Sequence, residues 1–236
     1  MKSPAKIFHF NNSAELIEEA AKCIAFLAKK SAGKFSISLA GGTTPRGLYE
    51  RMSAGDFAQN FSWRNAHFFW GDERFVPQTD SRSNFKMTRD ALLSKVPVPA
   101  GNIHAVNTTL ASPAAAADEY ERQLKIFFKT PPGKFPVFDL VLLGLGEDGH
   151  TASLFPGDPA LEITDRLAFP AKLETAEPRI TLTYPVLNNA KNIIFLVSGE
   201  TKNKILEEVL PGKTSKNIYP AQKIQPISGK LFWFIA

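Results

Sequence analysis

Residues 138–150 read FDLVLLGLGEDGH, an apolar run that ends in glycines and acidic residues and then in a histidine. A short continuous apolar run of this kind is typical of a β-strand that is buried on both faces of a sheet. Similar runs occur at 35–40 (FSISLA), 66–70 (AHFFW), 193–197 (IIFLV) and 231–235 (LFWFI). Because stretches with helical spacing alternate with them, the sequence predicts a doubly wound, mostly parallel α/β sheet with helices on both faces, Rossmann-like in architecture.

Shorter strands are predicted at 7–10, 103–106 and 179–183. Helices are predicted after Ser13 as N-cap, from Pro45 toward Gly55, over 84–95, from Pro113 onward and through 205–209. We expect a single domain over 1–236, although the Pro- and Gly-rich stretch at 130–136 (TPPGKFP) could divide two lobes.

Composition narrows the class of protein. The 236 residues carry 44% hydrophobic residues and a net charge of +5, which favours a globular chain that suits an anionic partner. No basic run marks a nucleic-acid site, and no apolar stretch is long enough for a membrane span or a signal peptide. Cys23 is the one cysteine, so we expect neither a disulfide nor a cysteine metal site, and a cytoplasmic setting.

Four segments follow predicted strands and so should meet at the carboxyl edge of the sheet, where open α/β sheets bind ligands. The first is 41–46 (GGTTPR), which we interpret as a phosphate-binding turn at a helix N-terminus, although a plain turn capped by Thr44 is equally consistent. It supplies Gly41, Gly42, Thr43, Thr44 and Arg46 as candidate binding residues.

The second segment is Gly71-Asp72-Glu73-Arg74, in which two carboxylates and an arginine directly follow a strand. These charged residues are candidates for a functional role, and the alternative is a solvated loop or an internal ion pair. The third, 144–150, satisfies G-x-G-x-x-G, but Glu147 and Asp148 would put negative charge where a pyrophosphate must lie. We therefore interpret it as a turn that presents His150 beside a carboxylate.

The fourth group comprises Arg179 and Lys202. Each alone is typical of a surface cation. Together with the glycine turn they would supply the two cations that a phosphate dianion prefers.

Residues 144–156 (GLGEDGHTASLFP) resemble the signature of the 6-phosphogluconolactonases of the pentose phosphate pathway. Three further segments resemble the same family in order, namely 39–45 (LAGGTTP), 70–77 (WGDERFVP) with Ser83-Asn84, and 179–183 (RITLT). The resemblance implies hydrolysis of a small phosphorylated sugar lactone with no obligatory cofactor, and it leaves partner proteins open. We assign no metal ligands among the candidate residues. The related glucosamine-6-phosphate deaminases share parts of this pattern, but after the histidine they carry a glutamate that is lacking here.

On this basis we expect His150 to act as general base, with Asp148 or Asp72 orienting its ring. Arg74 or backbone N–H groups of the 144–149 turn would meet the oxyanion. The alternatives are a deaminase or isomerase in which Asp72 is the base, and a non-catalytic sugar-phosphate sensor.

Overall fold

The computed structural model describes residues 4–171, 177–210 and 218–236 of the chain. Within them the α-helices are α1 (Ser13–Lys30), α2 (Thr43–Met52), α3 (Gly55–Asn60), α4 (Asn84–Thr88), α5 (Pro113–Phe128), α6 (Tyr184–Leu187) and α7 (Asn203–Val209). The strands are β1 (Lys6–His9), β2 (Phe35–Leu39), β3 (Ala66–Trp70), β4 (Asp72–Arg74), β5 (Ile103–His104), β6 (Leu140–Leu143), β7 (Ala168–Ala171), β8 (Arg179–Leu182), β9 (Asn192–Val197) and β10 (Lys230–Ile235). A π-helix over Arg89–Leu93 continues α4, so most of the helix predicted at 84–95 is present.

Seven strands form the main sheet in the order β1-β10-β9-β6-β2-β3-β5. Every neighbouring pair in it is parallel. The chain builds outward from β2 through β3 to β5, and then in the other direction from β6 through β9 to β10. The order therefore reverses between β2 and β6, which is the switch point where doubly wound sheets hold their ligands.

Alternate side chains of the central strands enter two separate cores. In β6, Val141 and Leu143 join the core covered by α5, α6 and α7. Leu140 and Leu142 join the core covered by α1 and α2. This alternation explains why the strand at 140–143 is apolar throughout, and the predicted parallel sheet with helices on both faces is confirmed.

A second sheet of three antiparallel strands, β4-β8-β7, lies beside the first. The strand predicted at 179–183 exists as β8, but it pairs with Asp72–Arg74 and with 168–171. The alternative that 71–74 is only a solvated loop is therefore excluded, because the backbone of Asp72–Arg74 extends to pair with β8.

Two helix starts also differ from the predictions. Asn12, and not Ser13, caps α1, since its Oδ1 accepts from the backbone N–H of Glu15 at 2.9 Å. Helix α2 begins at Thr43, so that Thr44 lies inside its first turn and is not the N-cap. Among the described residues, none of the helices combines the length and apolar character needed to cross a lipid bilayer.

Candidate active site

A cleft of about 220 Å³ opens at the switch point, beyond the ends of β2, β3, β6 and β9. The structure brings all four of the segments noted in the sequence to this one space. Its lining includes Gly41, Gly42, Asp72, Arg74, Asn84, Gly144, Gly146, His150, Arg179 and Lys202.

His150 and Asp148 form a directly bonded pair at one wall of the cleft. Nδ1 of the imidazole lies 2.5 Å from Oδ1 of Asp148, which also accepts from the backbone N–H of His150. Burial acts to raise the pKa of Asp148, but the hydrogen bond and charge of His150 lower it, so the carboxylate is ionised at neutral pH. An ionised carboxylate can only accept, so Nδ1 carries a proton, and in the neutral form of the ring the lone pair is on Nε2.

The ring of His150 is held from two further sides. It packs against Phe155 with the ring centroids 4.5 Å apart. Gly146 also approaches so closely that a Cβ atom at this position would overlap the imidazole. Only glycine at 146 therefore permits this position of the ring.

Backbone hydrogen bonds close the turn that carries His150. The N–H of Gly146 donates to the carbonyl of His150 at 2.8 Å, and the N–H of Gly149 donates to the carbonyl of Gly146 at 3.0 Å. Two of the N–H groups that were candidates for an oxyanion site are thus already used inside the turn.

Asp72 has partners other than His150. Its Oδ2 accepts from Ser153 Oγ at 2.7 Å, and Nδ2 of Asn84 donates to its backbone carbonyl at 2.9 Å. Nη1 of Arg179 lies 3.9 Å from the same Oδ2. Of the two carboxylates considered for orienting His150, Asp148 bonds the ring, and Asp72 instead holds Arg179.

Glu73 anchors the start of α4, a structural role that was not predicted from the sequence. The residue is 1% exposed, and its carboxylate accepts from the backbone N–H groups of Arg74, Asn84 and Phe85 and from Ser83 Oγ. Burial raises the pKa of Glu73, and the three backbone donors oppose that rise. Because these bonds fix the start of α4, they also fix Asn84 in the cleft.

Arg74 and Arg179 are direct partners in the β4–β8 pairing, and both line the cleft. Within the described residues neither Nε has a hydrogen-bond partner, although both atoms are buried. Burial lowers the pKa of Arg179, and the charge of Arg74 lowers it further, while Asp72 opposes the effect. Two adjacent cations with unused donors are suited to an anionic ligand.

The glycine turn reaches the cleft through its backbone. Gly41 and Gly42 line it, and a Cβ at Gly41 would overlap the side chain of Asn84. The hydroxyl of Thr44 lies 2.7 Å from that of Ser198 and is already engaged. Thr43 is exposed at the first position of α2, where the backbone N–H groups of a helix are free to bind an anion.

Arg46 does not belong to the cleft. Its Nε pairs with Glu50 at 2.9 Å on the exposed side of α2. Four residues into the helix, the side chain follows the solvent face, so nothing in this geometry supports phosphate binding by Arg46, and that role stays a prediction.

Lys202, in the segment after β9, lines the cleft, and its Nζ lies 3.7 Å from Oε1 of Glu147.

Asn84 is a lining residue that was not among the predicted site residues, although Ser83-Asn84 was part of the resemblance. In the described part of the chain, no three His, Cys, Asp or Glu side chains gather into a set that could hold a metal ion.

The fold and the cleft together define an α/β protein with a cation-lined cleft, suited to a small anionic ligand, at the switch point of a parallel sheet. Residues 11–233 match the family described as glucosamine-6-phosphate isomerases/6-phosphogluconolactonase, and the chain belongs to this family. It is 45% identical to the 6-phosphogluconolactonase of Nostoc sp. over 88% of this chain and 84% of that protein.

Solved structures show the same relationship. The 6-phosphogluconolactonase from Trypanosoma cruzi superimposes with a TM-score of 0.89 at 30% identity, covering 100% of this chain and 95% of that one. A monomeric glucosamine-6-phosphate deaminase superimposes with a TM-score of 0.81 at 20% identity, over 98% and 96% of the two chains. Because the deaminase shares only the fold, the overall shape does not separate the two activities, and the site must do so.

Proposed function

We propose that this protein hydrolyses 6-phospho-D-glucono-1,5-lactone to 6-phospho-D-gluconate, as an enzyme of the oxidative pentose phosphate pathway. The observation that carries the proposal is the bonded pair of His150 and Asp148 in the same cleft as Arg74, Arg179 and Lys202. An imidazole with a free Nε2 can activate water, and the three cations can hold a phosphorylated substrate. We place the enzyme in the cytoplasm.

In the hydrolysis, Nε2 of His150 takes a proton from a water molecule as its oxygen attacks the lactone carbonyl carbon. Asp148 holds the ring in the tautomer this step requires and stabilises the imidazolium that forms. General-base help of this kind contributes about 10²–10⁴-fold to the rate. It suffices because a δ-lactone is an activated ester.

Negative charge then develops on the carbonyl oxygen. We assign Arg74 as the donor to this oxyanion, since two of the alternative N–H groups in the turn are used internally. One such donor is typically worth about 2.7–4 kcal/mol. When the tetrahedral intermediate collapses, the bond from the carbonyl carbon to the ring oxygen breaks, and the imidazolium returns its proton to that oxygen.

The phosphate lies away from the bond that breaks. Gly41 and Gly42, the backbone N–H groups of Thr43 and Thr44, and the side chains of Arg179 and Lys202 would hold it. Binding energy from this remote group positions the carbonyl against the activated water, which raises kcat as well as affinity.

The direct test follows loss of the lactone, generated in situ from glucose 6-phosphate, with the spontaneous opening subtracted. We expect enzyme-dependent hydrolysis and faster turnover of the phosphorylated than of the unphosphorylated lactone. Equal turnover of both would contradict the phosphate site. Release of ammonia from glucosamine 6-phosphate would instead indicate a deaminase, and binding without turnover would indicate a sensor.

A further inference from the structure

Glu147 is the acidic residue of the catalytic turn that the mechanism does not use. Its carboxylate approaches Lys202, with Oε1 3.7 Å from Nζ. The Glu147 side chain is 66% exposed, whereas that of Lys202 is only 24% exposed and faces the cleft. The contact joins the turn after β6 to the segment after β9.

A phosphate oxygen bound to the same ammonium would lie about 2.7–2.9 Å from Nζ. The carboxylate of Glu147 would then stand within a few ångströms of the phosphate. Two anions so close on one cation repel each other, and Asp148 adds a second negative charge to the same turn. Binding of phosphate therefore requires that Glu147 give up its contact with Lys202.

We propose that Glu147 sets the affinity of the cleft for phosphate, as an internal counter-ion that occupies Lys202 in the free enzyme and is displaced by the phosphate of the substrate. This inference rests on the proposed function. Displacing Glu147 makes the binding free energy of every phosphate-bearing ligand less favourable by the same amount. The phosphorylated lactone and inorganic phosphate are therefore weakened equally, so Glu147 lowers the affinity for the phosphate group without changing the ratio between these two ligands.

The test is Glu147→Gln, which keeps the size of the side chain and removes its charge. We expect the inhibition constant for inorganic phosphate and the KM for the phosphorylated lactone both to fall, by about three- to tenfold at low ionic strength, and less at high salt. Turnover of unphosphorylated glucono-1,5-lactone should stay the same, because that substrate does not use Lys202.

Glu200→Gln is the matched control. Glu200 is exposed two positions before Lys202 in the chain, so the variant removes an equal charge from the same neighbourhood without breaking the Glu147 contact. An effect of the same size in both variants would overturn the proposal, since it would show only a change in overall charge. A fall in kcat at unchanged KM in Glu147→Gln would also overturn it, because Glu147 would then act in the chemistry.

Calorimetric titration of inorganic phosphate into wild type and Glu147→Gln separates this inference from the proposed function. If the wild type fails to open the lactone, the proposed function is wrong, but tighter phosphate binding by the variant would still support the role of Glu147. Unchanged phosphate binding would overturn the inference even in an active lactonase.

Discussion

The imidazole of His150 and the carboxylate of Asp148 are joined at 2.5 Å within a single turn, with one residue between them in the chain. The same Oδ1 of Asp148 also accepts from the backbone N–H of His150, so two bonds hold the carboxylate beside the ring. The pair is therefore preorganised for proton transfer.

His150→Ala should lower kcat for lactone hydrolysis by about 10²–10⁴-fold, the usual contribution of a general base. Asp148→Asn should cause a smaller loss, because the base remains but its tautomer is no longer enforced. Initial rates at saturating lactone measure both effects. A His150→Ala variant with nearly normal kcat would remove His150 from the mechanism.

Gly146→Ala should also lower kcat, although residue 146 carries no functional group. The added methyl group would displace the ring of His150 and press on the carboxylate of Asp148. Gly101→Ala is the control, since a Cβ there meets nothing within 4 Å. Equal activity of the two variants would show that the position of the ring is not critical.

Lys202→Ala should raise KM for the phosphorylated lactone by about tenfold to a hundredfold, the range expected for one charge-assisted hydrogen bond. Arg46→Ala removes a cation of similar size from α2, but one that pairs with Glu50 outside the cleft. We expect the KM of this control to stay close to that of the wild type. A large rise in the Arg46 variant would return that residue to the phosphate site.

Glu73→Gln should destabilise the protein by about 2–3 kcal/mol, because an amide cannot accept from all the buried donors that face this side chain. Urea unfolding measures the change. Glu50→Gln, which breaks an exposed pair on α2, should change the free energy of unfolding by less than about 1 kcal/mol. If the two variants were equally stable, Glu73 would not be the anchor of α4.

His67 and His104 should make stability depend on pH. Burial lowers the pKa of both, that of His104 to about 4, and their rings are hydrogen-bonded at 3.1 Å. Between the ordinary histidine pKa of about 6.5 and that lower value, the unfolded chain binds protons that the folded chain does not. The free energy of unfolding should therefore fall as pH drops through this window.

His104→Gln keeps a hydrogen-bonding group beside His67 and removes the titrating ring, so it should flatten this pH dependence. His9→Gln, at an exposed position of β1, should leave the slope as it is in the wild type. Denaturant midpoints at pH 8, 6, 5 and 4.5 give the comparison. An unchanged slope in His104→Gln would place the effect on other groups.

Much of the fold was predictable because the central strands are buried on both faces and therefore consist of continuous runs of apolar residues. The strand at 72–74 carried no such signal. It is polar, only three residues long, and exists because β8 lies beside it. Pairing of this kind depends on a partner a hundred residues away, which local patterns do not show.

The part of the site formed by residues that directly follow the parallel strands was predictable. Gly41, Asp72, His150 and Lys202 meet because the parallel strands end at one edge. The choice between Asp148 and Asp72 was not predictable, since it depends on which way each carboxylate points. Asn84 was overlooked for a related reason: it enters the cleft from the start of a helix that Glu73 anchors.

The edge of the main sheet has a consequence for how the chain folds. Strand β1 pairs with β10, so that Lys6 is matched with Phe232. As the protein leaves the ribosome, the segment at 6–9 therefore lacks this pairing partner until residues 232–235 have been synthesised. Closure of this edge is a late event in biogenesis, and a nascent chain halted before residue 230 would carry an orphan first strand.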